Sequence, residues 1–573
     1  MYDLVIRNGK IVDGSGMPAF HGDIAITGGK IAAVGGKTGV GRREIDADGS
    51  LITPGWVDIH THYDGQVAWD PYLSPSSWHG VTTVMIGNCG VGFAPVQPGK
   101  EEYLISLMDS VEDIPTETLR AGIDFKWESF GQYLDALSGM RRVLDVGTHV
   151  PHCAVRVYVM GERGANNEEA TPEDIAQMAA VVRDGVRAGA LGVSTSRTFV
   201  HRTRDKGYVP GTFAGVDEML GIGRALGEAG HGVFEIISDI VGPDADLEWM
   251  AQLTKETGRP ISLAALIRKK SGMRMREILE FIDRRNAEGA YMVAQVAARP
   301  AGTLMSLQSS LHPFSTHRSY KQLLGGLDLA ERVKRMRDPA VRAEILNDTP
   351  AVKDEMTLEM VTGFHNHFSL GDPPDYEPVP EKSIQERARR MGKSPQELAY
   401  DTLLERDGRE VIYMPIGAAK SLSFDGIRPN LLNPATILSL SDGGAHCGII
   451  CDAGMPTFLL TYWVRDRQSG DRIPLEAAVK RQTQDTARLY GLFDRGLLKP
   501  GMKADVNVID FDRLQLHPPE MVYDLPANGR RFIQRVDGYR YTIMSGEVSY
   551  ENGEHTGAMP GKVIRGPQAA ISR

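Results

Sequence analysis

Apolar positions recur along this chain at two spacings. In the first 50 residues they alternate with polar ones between turn signals. "YDLVIRNGKIVDGSG" sets Asn8-Gly9 between two strand-like runs, the dipeptide favoured in a type I′ hairpin turn, and "GDIAITGGKIAAVGG" repeats the plan with Gly28-Gly29. The texture returns in "GMKADVNVIDFD" (501–512) and "YTIMSGEVSYENGE" (541–554). Strand-rich segments at both ends, around a different middle, predict one small β domain assembled from residues 1–56 and 491–573.

In the middle, strand-like runs ("GVTTVMIG", "RRVLDVGTHV", "AGALGVSTS", "HGVFEIIS", "RPISLAALI", "AYMVAQVAA", "TILSLSDGG") alternate with helix-period segments. One of these, 171–189, opens on Thr171-Pro172 followed by Glu173 and Asp174, a well-formed helix start. Strands and helices in alternation mean a parallel sheet. Seven or more such units predict an α/β fold over 57–490, a (β/α)8 (TIM) barrel rather than an open sheet. The stretch 305–435 is less regular and reads as an insertion, with Pro-rich "SLGDPPDYEPVPEKS" (369–383) as a surface or lid-like loop.

At 573 residues, a barrel-sized domain plus an accessory one is the expected scale. A net charge of −10 argues against nucleic acid or an anionic membrane surface as partner. There is no run of 18 apolar residues and no secretory pattern at the start. Four isolated cysteines (Cys89, Cys153, Cys447, Cys451) do not make a disulfide framework. These features predict a cytoplasmic protein acting on a small molecule, with a homo-oligomer left open.

Candidate chemistry sits at the ends of the strand-like runs. In "WVDIHTHYD" (56–64), residues i and i+2 of a strand face the same side, so His60 and His62 project into one space while Thr61 points away. Cys89 ends the next run and is either a buried structural thiol or, beside two histidines, a zinc ligand. Asp442 in "SLSDGGAH" is either a turn residue or a strand-end carboxylate able to ligate a metal and take a proton from water. His446 follows it as a supporting group or an ordinary loop histidine. Glu235, a lone acid in an apolar strand, must be paired or functional: an ion pair with Arg268, Lys269 or Lys270, a replacement ligand, or a second acid/base. His152 either touches substrate or is hydrogen-bonded in its loop. Arg299 either supplies a cation to substrate or lies on the surface. His365 and His367 lack a strand-end setting and are read as non-ligands.

The segments "DLVIRNGKIVDGSG", "TPGWVDIHTHYD", "GVTTVMIGNCGVGFAP", "GALGVSTS", "YVPGTFAGVDE", "SLSDGGAH" and "LLKPGMKADVNVIDFD" together resemble, in order, the motifs of the amidohydrolase superfamily, and Cys89 makes the chain similar to its N-acyl-D-amino-acid deacylase (D-aminoacylase) branch. The resemblance implies a TIM barrel with a small β-sandwich, zinc at the strand ends, and hydrolysis of an amide. It implies His60, His62, Cys89 and Asp442 as metal ligands, Asp442 as catalytic base, and Tyr208 facing substrate. The chain departs from the pattern where the branch has histidines on the fifth and sixth strands: His231 stands at the wrong end of its run, and Leu263 stands where the second would be. The tyrosine and arginine that hold substrate in the branch have no counterparts here, so Arg299 is the candidate substitute. The reading that results is a zinc-dependent hydrolase of a C–N bond with one ion per chain, acting on an N-acyl-D-amino acid or related amide. Two others stand beside it: a same-fold hydrolase of a cyclic imide or lactone, and a non-catalytic binding or scaffold protein.

Overall fold

The computed structural model describes residues 1–205, 207–240, 243–265, 274–416 and 422–569, with residues 243–245 described for backbone only. Its central strands are β1 (Trp56–Asp58), β2 (Val81–Ile86), β3 (Asp145–Thr148), β4 (Val150–Pro151), β5 (Gly192–Arg197), β6 (Val233–Ser238), β7 (Ile261–Ala265), β8 (Met292–Val296) and β9 (Thr436–Leu438). Between them run α1 (Glu101–Glu112), α2 (His152–Met160), α3 (Pro172–Ala188), α4 (Val216–Ala229), α5 (Pro243–Thr257) and α6 (Met275–Ala287), among others. Strands β1-β2-β3 form one parallel ribbon and β4 to β9 another. A parallel bridge, Thr61 to Gly443, joins the segment after β1 to the segment after β9. The fold is thus mixed α/β with parallel strands in helix-separated succession.

Local chemistry explains the elements. The Thr171 side chain accepts the Asp174 N–H while the Asp174 carboxylate accepts the Thr171 N–H, a capping box that starts α3 as expected. Inside the parallel strands, Val57, Ile59, Met85, Leu191, Val233, Val293 and Ile437 form one apolar layer. Further along the same strands the facing residues turn polar (Ser194, Glu235, Ser262 and Gln295), and that change of character positions the site.

The terminal sheet has nine strands drawn from residues 2–54 and 506–555. Val506–Ile509 pairs antiparallel with Leu51–Pro54, which joins the two ends of the chain. Gly28-Gly29 makes the expected two-residue turn, both residues at positive φ, with Thr27 opposite Lys30. Asn8-Gly9 does not. Tyr2–Ile11 is one strand whose pairing with Phe20–Thr27 shifts register between Ile6 and Gly9, and Asn8 (φ 56°) is the residue left over. A side chain at Gly9 would run into Ile52, so the glycine serves packing rather than a turn.

Residues 302–416 carry a three-stranded antiparallel sheet and a separate apolar core around Phe314, Tyr400 and Ile412. The Pro-rich stretch is anchored to the main body: Tyr376 is buried and hydrogen-bonded to Gln534, and Glu377 pairs with Arg467. No helix among the described residues is long and apolar enough to cross a membrane.

Candidate metal centre

His60 and His62 follow β1, Cys89 follows β2, and their ligand atoms all lie within 4.8 Å of one another, buried. Among the described residues no other set of three such side chains converges in this way. Thr61 donates its hydroxyl to the Met85 carbonyl (2.7 Å), away from the cluster, so the two histidines share one side. Cys89 is held in the left-handed region (φ 54°). Its Sγ stands 3.3 Å from His60 Nε2, close to the ~3.6 Å expected between S and N ligands on one tetrahedral zinc.

Asp442 approaches the same atom, with Oδ1 3.7 Å from His60 Nε2. Its place is set by backbone pairing with the His60–His62 segment: Asp442 N–H donates to His60 O (3.2 Å) and His62 N–H to Gly443 O (2.7 Å). Leu440, Asp442 and His446 all have positive φ (63°, 46° and 45°). Three non-glycine residues in this conformation within seven positions cost ~1–3 kcal/mol each, a strain typical of functional loops.

His60 Nδ1 and Gln295 Oε1 are 2.7 Å apart; since the amide oxygen only accepts, Nδ1 carries the proton and Nε2 offers its lone pair to the cluster. The Gln295 amide is oriented in turn by the hydroxyls of Ser439 (2.8 Å) and Ser262 (3.0 Å). Glu235 lies beneath Cys89: Oε2 accepts the Cys89 N–H at 2.9 Å and Oε1 is 3.7 Å from His60 Nδ1. It buttresses the cysteine turn. The basic residues considered as its ion-pair partners, Arg268, Lys269 and Lys270, lie outside the described residues.

Burial governs the electrostatics of this cluster. Burial pushes Glu235 and Asp442 each up to about 8 and Asp64 to about 7. It lowers His60 to about 4, drives His62 well down, and raises the Cys89 thiol well above its ordinary value. His62 Nδ1, Asp64 Oδ2 and Glu112 Oε2 are buried with no hydrogen-bond partner. A metal binds carboxylate, thiolate and neutral imidazole, so a dication here would oppose the upward shifts of the acids and the thiol, while the lowered histidines already offer their lone pairs. Two imidazoles, a thiol and a carboxylate, the first three with ligand atoms within 4.8 Å of one another, are a donor set that fits zinc.

The other expected residues fare unequally. His446 is near the cluster, 29% exposed, with Nε2 3.9 Å from Glu112. Tyr208 belongs to a half-exposed aromatic group with Phe199 and Phe213, under the Arg202 guanidinium (3.7 Å). His201, in the same segment, is one of the neighbours that lower His62. His152 is not a free substrate contact: Thr195 and Glu218 take its two nitrogens at 2.8 Å each, and Arg156 binds the same carboxylate. Arg299 is neither on the surface nor open to substrate. It is 2% exposed, 2.7 Å from Asp452, and stacked 3.9 Å over Tyr376. His365 is exposed and His367 buried in the insertion, and neither joins the cluster.

Leu263 is also corrected. Strand alternation turns it into the outer core, and the residues facing inward on β7 are Ser262 and Ala264. Ala264 packs with Ile237 of β6 and Leu440 against Cys89, so the fifth and sixth strands present an apolar face to the thiol. The sequence reading missed Gln295, although it is a lone polar residue in an apolar strand, the same signal that marked Glu235. It also missed Glu112, for which no local signal exists.

The model of the amidohydrolase family matches residues 43–550. A D-aminoacylase of Alcaligenes xylosoxydans xylosoxydans is 25% identical over 98% of this chain and 97% of its own. A D-aminoacylase structure described for the functional role of its binuclear metal centre superposes with a TM-score of 0.65 at 23% identity, covering 99% of this chain and 100% of that one. The N-acyl-D-glutamate deacylase of Bordetella bronchiseptica, complexed with zinc and a phosphonate inhibitor, gives 0.63 at 22% identity, covering 98% and 99%.

Proposed function

Because the chain belongs to the amidohydrolase family, we propose that it is a zinc-dependent hydrolase of the amide bond of an N-acyl-D-amino acid or a closely related amide. The observation that carries this is the convergence of His60, His62 and Cys89 within 4.8 Å, with Asp442 Oδ1 3.7 Å from His60 Nε2. The activities named for the D-aminoacylase and N-acyl-D-glutamate deacylase relatives support the substrate class. In this reading β1 to β9, with β3 and β4 as two halves of one strand, close as a (β/α)8 barrel spanning 57–490, interrupted by the 305–435 insertion, and the terminal sheet is a small β-sandwich built from 1–56 and 491–573.

His60, His62, Cys89 and Asp442 hold a single zinc ion; the apolar face of Ile237 and Ala264 beside Cys89 supports one ion rather than two. Zinc there supplies Lewis-acid polarisation of the scissile carbonyl and makes water a nucleophile near neutral pH. Asp442 accepts the attacking water's proton at Oδ1 and delivers it to the leaving nitrogen. Gln295 and Glu235 orient His60 and Cys89, and His446 and Tyr208 border the substrate. His152 and Arg299 are left to structural roles.

The test is elemental analysis of protein purified without added metal, with turnover on a panel of N-acyl-D- and N-acyl-L-amino acids, cyclic imides and lactones. About one zinc per chain, lost in His60→Ala/His62→Ala, is expected. Asp442→Ala should cut turnover ~10²–10⁴-fold while the fold persists, the range for a removed general base. Turnover that survives the loss of both histidines and of Asp442 would remove the metal reading.

A further inference from the structure

Glu112 is the last residue of α1, in a place that disfavours a carboxylate twice over. It is 1% exposed, and the C-terminal end of a helix carries the negative pole of its dipole. A buried carboxylate is tolerated only with donors around it. Among the described residues, no lysine or arginine pairs with it; its partners are histidines. Oε1 is 3.2 Å from His62 Nδ1, and Oε2 is 3.9 Å from His446 Nε2.

The helix end is tied in place. The Glu112 carbonyl accepts the Cys447 N–H (3.2 Å), Asp113 accepts the Ser310 hydroxyl, and Ser310 N–H donates to Gly448 O (3.3 Å). The carboxylate is therefore fixed against the same 442–448 segment that carries Asp442. His62 Nδ1 has no other partner: it is buried and makes no hydrogen bond of its own.

We infer that Glu112 is the positioning carboxylate of this centre, receiving the Nδ1 proton of His62 in a hydrogen bond so that Nε2 faces Cys89 and His60, and holding His446 with its other oxygen. This rests on the metal reading above. Gln295 does the same for His60, but as a neutral amide. The two histidines thus have different backers, a carboxyl for His62 and an amide for His60.

The test is zinc affinity by chelator competition and the absorption spectrum of the cobalt-substituted protein, in wild type, Glu112→Ala and Glu112→Gln. Loss of such a partner weakens metal binding ~10–100-fold, so Glu112→Ala should fall in that range with a changed cobalt spectrum, and Glu112→Gln, whose amide oxygen accepts the same proton, should return to within about threefold of wild type. If the alanine variant does not fold, Glu112→Asp carries the test: it keeps the charge but withdraws it by one methylene, and should bind zinc about tenfold more weakly. Zinc held by Glu112→Ala or Glu112→Asp as tightly as by wild type overturns the role of Glu112 and leaves the metal reading standing. Wild type that binds no zinc overturns both.

Discussion

Arg299→Met separates a structural arginine from a substrate-holding one. The guanidinium is 2.7 Å from Asp452 Oδ1, each partner is 2% exposed, and Asp452 Oδ2 has no hydrogen-bond partner. Methionine keeps most of the stem's packing and removes the charge, leaving a buried carboxylate uncompensated. Breaking one side of such a pair costs ~3–5 kcal/mol. The lost stacking over Tyr376 adds up to about 2 kcal/mol. For 573 residues, an unfolding entropy of ~2.1 cal/mol/K per residue gives ~1.2 kcal/mol/K, so ~4 kcal/mol lowers Tm by ~3 °C if the chain melts as one unit. Differential scanning calorimetry measures this, and Arg299→Met/Asp452→Asn should recover most of the loss because no lone charge remains. KM for an N-acyl amino acid should stay within a few-fold of wild type in the single variant. The opposite pattern would refute the reasoning: an unchanged Tm with KM raised ~10-fold or more, the cost of one lost charge-assisted hydrogen bond of ~1.5–3 kcal/mol to the substrate.

Two further outcomes follow from the structure. Gly444 has φ 89°, and a Cβ there would stand 2.8 Å from the His62 carbonyl oxygen, so Gly444→Ala should lower both thermal stability, by ~1–3 kcal/mol, and zinc affinity, whereas Gly28→Ala, with open space around it, should leave zinc affinity unchanged. In the insertion, burial, with Arg332 and His317 nearby, pushes His312 down to about 3. Its unfolded value is ~6.5, so its contribution to stability is complete above pH ~6.5 and is lost as pH falls toward 3, at up to ~1.4 kcal/mol per pH unit. Urea midpoints between pH 7 and pH 5 should fall less steeply in His312→Leu than in wild type, and equal slopes would show that His312 is not the group responsible.

What the sequence disclosed about the site, and what it hid, follows from the range of each interaction. His60, His62 and Cys89 were legible because their geometry is local: a period of two puts both imidazoles on one side, and an apolar run ending in Cys-Gly puts the thiol at a strand end. Asp442 was legible for the same reason. Asn8-Gly9 misled because the dipeptide fits a bulge as well as a turn, and only its partner strand decides between them. Leu263 misled by parity: a shift of one residue along β7 exchanges the inward face for the outward one. Arg299 and His152 are polar residues close to strand ends, as the ligands are, and what separates them from ligands is whether a partner has already taken their atoms. That partner is Asp452 for one and Glu218 for the other, 153 and 66 residues along the chain, beyond the reach of any motif. Glu112 is the extreme case. It ends an ordinary amphipathic helix, in a position where an acid usually meets solvent, and only the docking of that helix against the Asp442 loop makes it a neighbour of His62. The ligands come from strand periodicity, and the groups that orient them come from tertiary packing. Ile237 and Ala264 reach Cys89 in the same way: strand parity turns them to one side, and only the pairing of β6 with β7 brings them together against the thiol.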